Sequence, residues 1–180
     1  GNLRKPAQNW QTKYSPYTIP HHTIVFGSPD DGSYAIGTLK EDVMWDNTRG
    51  SMDVDASGNP NGAVLCINVA KNYQGEIYRK QINSLKSNVV LNFEVSIANA
   101  SYAYRSIPPQ VAVQIEDIHG KVLGVAQSAL TSSSKGWQKV EIQVPPIPDT
   151  SVVVCVISNG TGWENGCDLL MDDVIFSVYN

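Results

Sequence analysis

The sequence predicts an all-β fold, a sandwich of two antiparallel sheets with about ten strands and little or no helix. Two observations carry this. Short β-prone runs recur along the whole chain, several with apolar residues at every second position, the period of a half-buried strand. Between them fall most of the 14 Gly and 10 Pro, marking turns. No run keeps a helical period over ten residues. With 180 residues the chain has one domain's worth of length, so residues 1–180 are expected to form one sandwich. The first 22 residues, rich in Pro, Gln and Tyr, read as an extended arm packing on it.

Strand signals begin at Thr23–Phe26 and Ser33–Thr38, separated by Pro29-Asp30-Asp31-Gly32. Met52-Asp53-Val54-Asp55 alternates like a half-buried strand, and Asp55–Gly62 is a loop. Ala63–Val69 and Glu76–Ile82 follow. In Val89–Ala98, Leu91, Phe93, Val95 and Ile97 point inward, while Asn92, Glu94 and Ser96 point outward. Gln110–Glu116 repeats the pattern through Val111, Val113 and Ile115. His119-Gly120 turns the chain into Lys121–Ala126. Trp137–Val144 alternates through Val140 and Ile142, and Pro145-Pro146 is expected to end it. Ser151–Ile157 is apolar on both faces, as a fully covered strand is, with Val154 inward. Leu169–Tyr179 closes the chain.

Composition excludes some functions. Thirteen Lys and Arg against 17 Asp and Glu give a net charge of −4. A protein that binds nucleic acid through its phosphates needs a basic surface, so no nucleic-acid partner is expected. No stretch reaches the roughly 18 apolar residues of a membrane span. The opening Gly1 reads as the remainder of a processed leader or tag, so an export signal is expected to have been removed. Cys66 and Cys155 lie in apolar runs, where cysteine behaves as a small core hydrophobe. A bridge from Cys155 to Cys167 is sterically conceivable; buried free thiols are the alternative. The absence of a CxxC pair, and of a His beside any cysteine, argues against zinc.

Several segments together resemble the galactose-binding-like jelly-rolls, the group of MAM-type domains and many carbohydrate-binding modules, in the form found in large secreted bacterial surface proteins. They are Trp45-Asp46-Asn47-Thr48-Arg49-Gly50-Ser51-Met52-Asp53-Val54-Asp55-Ala56, then Ile77-Tyr78-Arg79-Lys80 with Leu85 and Leu91–Ala100. Pro108–Gly120, Gly136-Trp137-Gln138 and Cys167-Asp168-Leu169-Leu170-Met171-Asp172-Asp173-Val174 continue the likeness in order. Asn47 stands where such domains often carry His, and Cys167 where Asn often precedes the Asp. The resemblance implies a jelly-roll β-sandwich and an extracellular or cell-surface location. It also implies a structural calcium ion near the last strand, held by Asp173 and Asp172. Asp30, Asp31 and Asp46 are possible contributors. The competing reading is that the inward carboxylate of this pair caps backbone N–H groups of a neighbouring loop. Asp173 ranks first because it shares a face with Met171 and Ile175, which reads as core.

Exposed aromatic rings are the usual platforms for sugars. Tyr102 and Tyr104, with Arg105, occupy the loop Ser101–Pro109. Trp163 sits between glycines in residues 160–166. These four are the candidate ligand residues; Trp137 reads as core. Catalysis finds little support. His21, His22 and His119 read as surface residues, and no G-x-S-x-G elbow is present. Glu94 and Glu116 as a hydrolytic pair would need a shared cleft. The expectation is therefore a non-catalytic carbohydrate-binding or adhesion module of an exported protein, with a glycan or surface protein as partner. A structural spacer or protein-interaction domain is the alternative, and a glycoside-acting enzyme comes third.

Overall fold

A computed structural model describes residues 19, 21–25, 29–39, 54–101, 108–128, 130, 136–159 and 168–179. Ten strands form among them: β1 (Thr23–Ile24), β2 (Ser33–Thr38), β3 (Ala63–Asn68), β4 (Gly75–Ile82), β5 (Val89–Asn99), β6 (Val111–Glu116), β7 (Val122–Gln127), β8 (Gln138–Ile147), β9 (Val152–Ser158) and β10 (Leu169–Tyr179). They build a six-stranded sheet in the order β1-β2-β3-β10-β5-β8 and a four-stranded sheet β4-β9-β6-β7. This is the expected all-β jelly-roll sandwich. All pairings are antiparallel except β1 with β2, a parallel contact of two residues. No helix among the described residues is long and apolar enough to cross a membrane.

The core forms where the alternation places it. Leu91, Phe93, Val95 and Ile97 of β5 face Val111, Val113 and Ile115 of β6 and Val152, Val154 and Val156 of β9. Phe93 is 0% exposed, so the register read for β5 holds. Ile142 is half-buried against this core. A second, smaller cluster, Ala35, Val64, Cys66, Ala98, Ala100 and Leu170, lies at the alternate strand positions, on the far side of the six-stranded sheet. Trp137 packs against that cluster, and its indole N–H donates to the Val54 carbonyl at 3.0 Å.

Two expectations at strand ends change. β8 does not stop at Pro145-Pro146 but runs through them to Ile147, which pairs with Val89. It can do so because β8 is an edge strand, where a missing N–H breaks no ladder on the open side. Of the arm, only Ile19, His21 and His22 are described; Trp10, Tyr14 and Tyr17 lie outside the described residues. Ile19 is buried in the main core. His22 is buried rather than superficial: its Nε2 accepts the Ala70 N–H at 3.0 Å, and its ring meets Tyr73 edge-on at 4.8 Å.

Candidate functional site

Bulges decide which side chains reach the outer faces. Along β4, Glu76 pairs with Ile157 but Tyr78 with Val156, so one extra residue sits between them. Ile77 and Tyr78 both reach the core, and Arg79 returns to the outer face opposite Cys155. There its guanidinium makes three contacts. Nη1 donates to Glu76 Oε1 and, at 3.3 Å, to the Cys155 sulfur; Nη2 donates to Glu116 Oε2 at 3.1 Å. Gln114 donates its amide to the other Glu116 oxygen. Burial first, and then the Glu116 charge, push the Cys155 thiol up to about 12, with Arg79 opposing.

Donor atoms of Glu76, Glu116 and Cys155 all lie within 4.8 Å of one another. This triad has the composition of a general metal site. A thiol is a poor ligand for a hard cation, so it does not suit calcium. Arg79 supplies a positive charge to all three groups. Sequence reasoning did not find this cluster, because Glu76 and Arg79 are three residues apart and only the bulge puts them on one face. The pairing of Glu94 with Glu116 does not occur. Glu94 belongs to the six-stranded sheet, where Lys139 binds it at 3.2 Å, and Glu116 to the other sheet.

A bulge also intervenes at Asp172-Asp173. Asp172 pairs with Ser96, yet Ile175 pairs with Glu94, so an extra residue lies between, and Asp173 takes the left-handed conformation (φ 46°). The register flips: Val174 and Phe176 pack on the core, and Ile175 is 42% exposed. The ranking of Asp173 over Asp172 through a buried Ile175 is thereby overturned. Asp172 accepts the Ala56 N–H at 3.1 Å, the capping role expected of such a carboxylate. Burial raises its pKa, with the charges of Asp173 and Asp55 adding to the rise. Asp55 is saturated on one oxygen, which takes the Ser57 N–H and hydroxyl and the Asn59 N–H. Asp30 and Asp31 are described, but Ser33 N–H and hydroxyl bind the Asp30 carbonyl, not its carboxylate. Asp46 lies outside the described residues.

Tyr102, Tyr104, Arg105 and Trp163 also lie outside the described residues. The ends of their two loops are described. Ala100 N–H donates to the Asp168 carbonyl at 3.0 Å, and Asp168 N–H to the Ser101 hydroxyl at 2.8 Å. At the other ends, Asn159 N–H donates to the Gln110 carbonyl at 2.8 Å. Both loops therefore leave one sheet side by side and join the other side by side. Asn99 is buried, its side-chain oxygen accepting the Ser101 N–H at 2.9 Å. Neither Cys66 nor Cys155, both buried, is in a disulfide, so the bridge considered for Cys155 does not form; Cys167 lies outside the described residues.

No protein-family model matches the chain, and no curated protein sequence matches it either. Among solved structures, the chain is similar to a cyclase from Fischerella sp. TAU in complex with 4-(1H-indol-3-yl)butan-2-one, at 16% identity and TM-score 0.53 over 92% of each chain. It is similar to the Stig cyclase Fisc from Fischerella sp. TAU at 14% identity and TM-score 0.50, over 97% of this chain and 96% of that one. The CBM22-1 xylan-binding domain from Paenibacillus barcinonensis Xyn10C matches at 15% identity and TM-score 0.43, over 84% of this chain and 97% of that one. At these identities the likeness is one of fold.

Proposed function

We propose that this domain is a non-catalytic carbohydrate-binding or adhesion module of an exported bacterial protein, of the galactose-binding-like kind. One observation carries the reading. The loop bearing Tyr102, Tyr104 and Arg105 and the loop bearing Trp163 are hydrogen-bonded neighbours at both ends. The side chains these loops carry in sequence, aromatic rings and a guanidinium, are of the kinds that suit the stacking face and hydroxyls of a sugar. A glycan array followed by isothermal titration tests it. Binding by the wild type that falls at least tenfold in Trp163→Ala and Tyr104→Ala supports the module; no binding, or binding unchanged in both variants, rejects it.

A catalytic reading draws on Glu76 and Glu116 and on the cyclases that share the fold. Arg79 donates to both carboxylates and the Cys155 thiol is far from ionising, which leaves that face without a free base or nucleophile. Turnover of an indole or glycoside substrate lost in Glu116→Gln would favour the enzyme instead. Calcium belongs to the proposal as well. Asp172, Asp173 and Asp55 are hard oxygen donors; burial and then the charges of the other two raise the proton affinity of Asp172, and a divalent cation would relieve that repulsion. Its role would be structural: chelation should lower the melting temperature, and Asp173→Asn should reduce the response.

A further inference from the structure

We propose that β8 is a self-association edge: two copies of this chain pair their β8 strands antiparallel about a two-fold axis at Val140, joining their six-stranded sheets into one. β8 ends its sheet and has β5 as its one partner strand among the described residues. The backbone N–H and C=O groups along its other side are open to a further strand. From Gln138 to Val144 the register with β5 is regular, and the irregularity falls beyond, at Pro145-Pro146.

The charges on this edge select the strand that fits. Val140 belongs to the core, so Lys139 and Glu141 stand on the outer face. Glu141 pairs directly with Glu94 of β5, and like charges so placed repel. One ammonium serves both: Lys139 Nζ lies 3.2 Å from Glu94 and 3.5 Å from Glu141. Lys139 and Glu141 keep 55% and 45% of their side chains exposed, so both are free to meet a neighbour. A strand docking here must bring a cation to Glu141 and an anion to Lys139. A second β8 does both. With the axis at Val140, Lys139 of each copy falls opposite Glu141 of the other on the same face, and the contact closes on itself. The inner side agrees. β7 packs close beneath β8, where a Cβ on Gly124 would lie 2.7 Å from Val144 Cγ2 and 3.1 Å from Ile142 Cγ1. Along this flank Ile142 of β8 and Leu123 and Ala126 of β7 are only half-buried against the core, and a second copy would cover them.

Sedimentation equilibrium from about 1 µM to about 100 µM tests the contact. The wild type should pass from monomer to dimer in that range, and less readily in high salt, which screens exposed pairs. Glu141→Lys sets Lys139 against a second lysine across the axis and should weaken the dimer about tenfold or more. Measured dilute, where both proteins are monomers, its melting temperature should not fall, because Glu94 no longer faces a carboxylate; the lost dimer is then not a lost fold. Reversing both charges, Lys139→Glu with Glu141→Lys, rebuilds the pairing and should restore the dimer. A wild type monomeric throughout, a dimer that Glu141→Lys leaves unchanged, or one that the double variant fails to regain overturns the proposal.

Discussion

Arg79 on β4 reaches across β9 to the Glu116 carboxylate on β6 at 3.1 Å, passing over the Cys155 sulfur. The contact ties three strands of the four-stranded sheet on its outer side. Glu116 keeps only 8% of its side chain exposed, so leaving it without this partner would be costly.

Arg79→Ala should therefore destabilise the fold by about 2 kcal/mol, less than for a fully buried pair because a third of the arginine side chain meets solvent. Glu116→Gln in the same background should recover most of the loss, since the buried lone charge is then gone and Glu76, about a third exposed, keeps access to solvent. Urea unfolding of the two variants measures both. The triad also becomes a cation site once its arginine is gone. Zn²⁺ should raise the melting temperature of Arg79→Ala and leave the wild type unchanged.

The thiol itself should be inert. Attack on a disulfide reagent needs the thiolate, and burial beside Glu116 pushes Cys155 to about 12. At pH 8 in native protein, Cys155 should stay unlabelled by an aromatic disulfide over hours and react at once in denaturant. Cys66, buried in the second cluster, should behave alike. Rapid native labelling at Cys155, located by peptide mapping, would overturn the placement.

The alternation rule recovered β5, β6 and β9 because their inward positions are apolar without interruption, and the buried Phe93 follows directly from it. It failed wherever one residue was inserted. Nothing in Glu76-Ile77-Tyr78-Arg79 announces a bulge, since both middle residues are apolar enough to face a core. The same holds for Asp173-Val174-Ile175, where each face reads as almost equally apolar and only the left-handed Asp173 selects Val174 and Phe176. The Arg79 cluster and the true orientation of Ile175 are consequences of bulges, and bulges leave little trace in hydropathy. The aromatic loops were legible as composition, and the pairing of their ends came from the ladders of two sheets at once.

Gly62 is fixed by Asp55 rather than by its backbone angles. A Cβ added there would lie 1.7 Å from Asp55 Oδ2 and 2.8 Å from Asp55 Cβ. Gly62→Ala should cost about 2–3 kcal/mol, and less when combined with Asp55→Gly, which takes away the Cβ as well as the carboxylate, a coupling that a double-mutant cycle reads directly. The Asp55 carboxyl is held below its ordinary 3.8: burial works against the charge, but the Ser57 hydroxyl and the N–H groups of Asn59 and Ser57 outweigh it. Its stabilisation is present above that ordinary value and fades as pH falls through the lower, folded one. Asp55→Gly should remove this acid-side loss along with the steric conflict.

Asp172 works in the opposite sense. Burial, then the carboxylates of Asp173 and Asp55, raise its pKa above the ordinary 3.8, although the N–H groups of Asp173 and Ala56 pull the other way. A folded-state pKa above the unfolded one means the fold holds the proton more tightly than the open chain does. The ionised group therefore weakens the fold at neutral pH. That penalty shrinks as pH falls through the folded pKa and is gone below about pH 4. Asn at this position keeps an oxygen for the Ala56 N–H and carries no charge. In EDTA-treated protein, Asp172→Asn should melt a few degrees above the wild type at pH 7, and the gap should close towards pH 4. Calorimetry across that range decides the matter. If Asp172→Asn melts below the wild type by the same margin at both ends, the carboxylate is needed for its shape or its hydrogen bond, and the repulsion from Asp173 and Asp55 has no hold on stability.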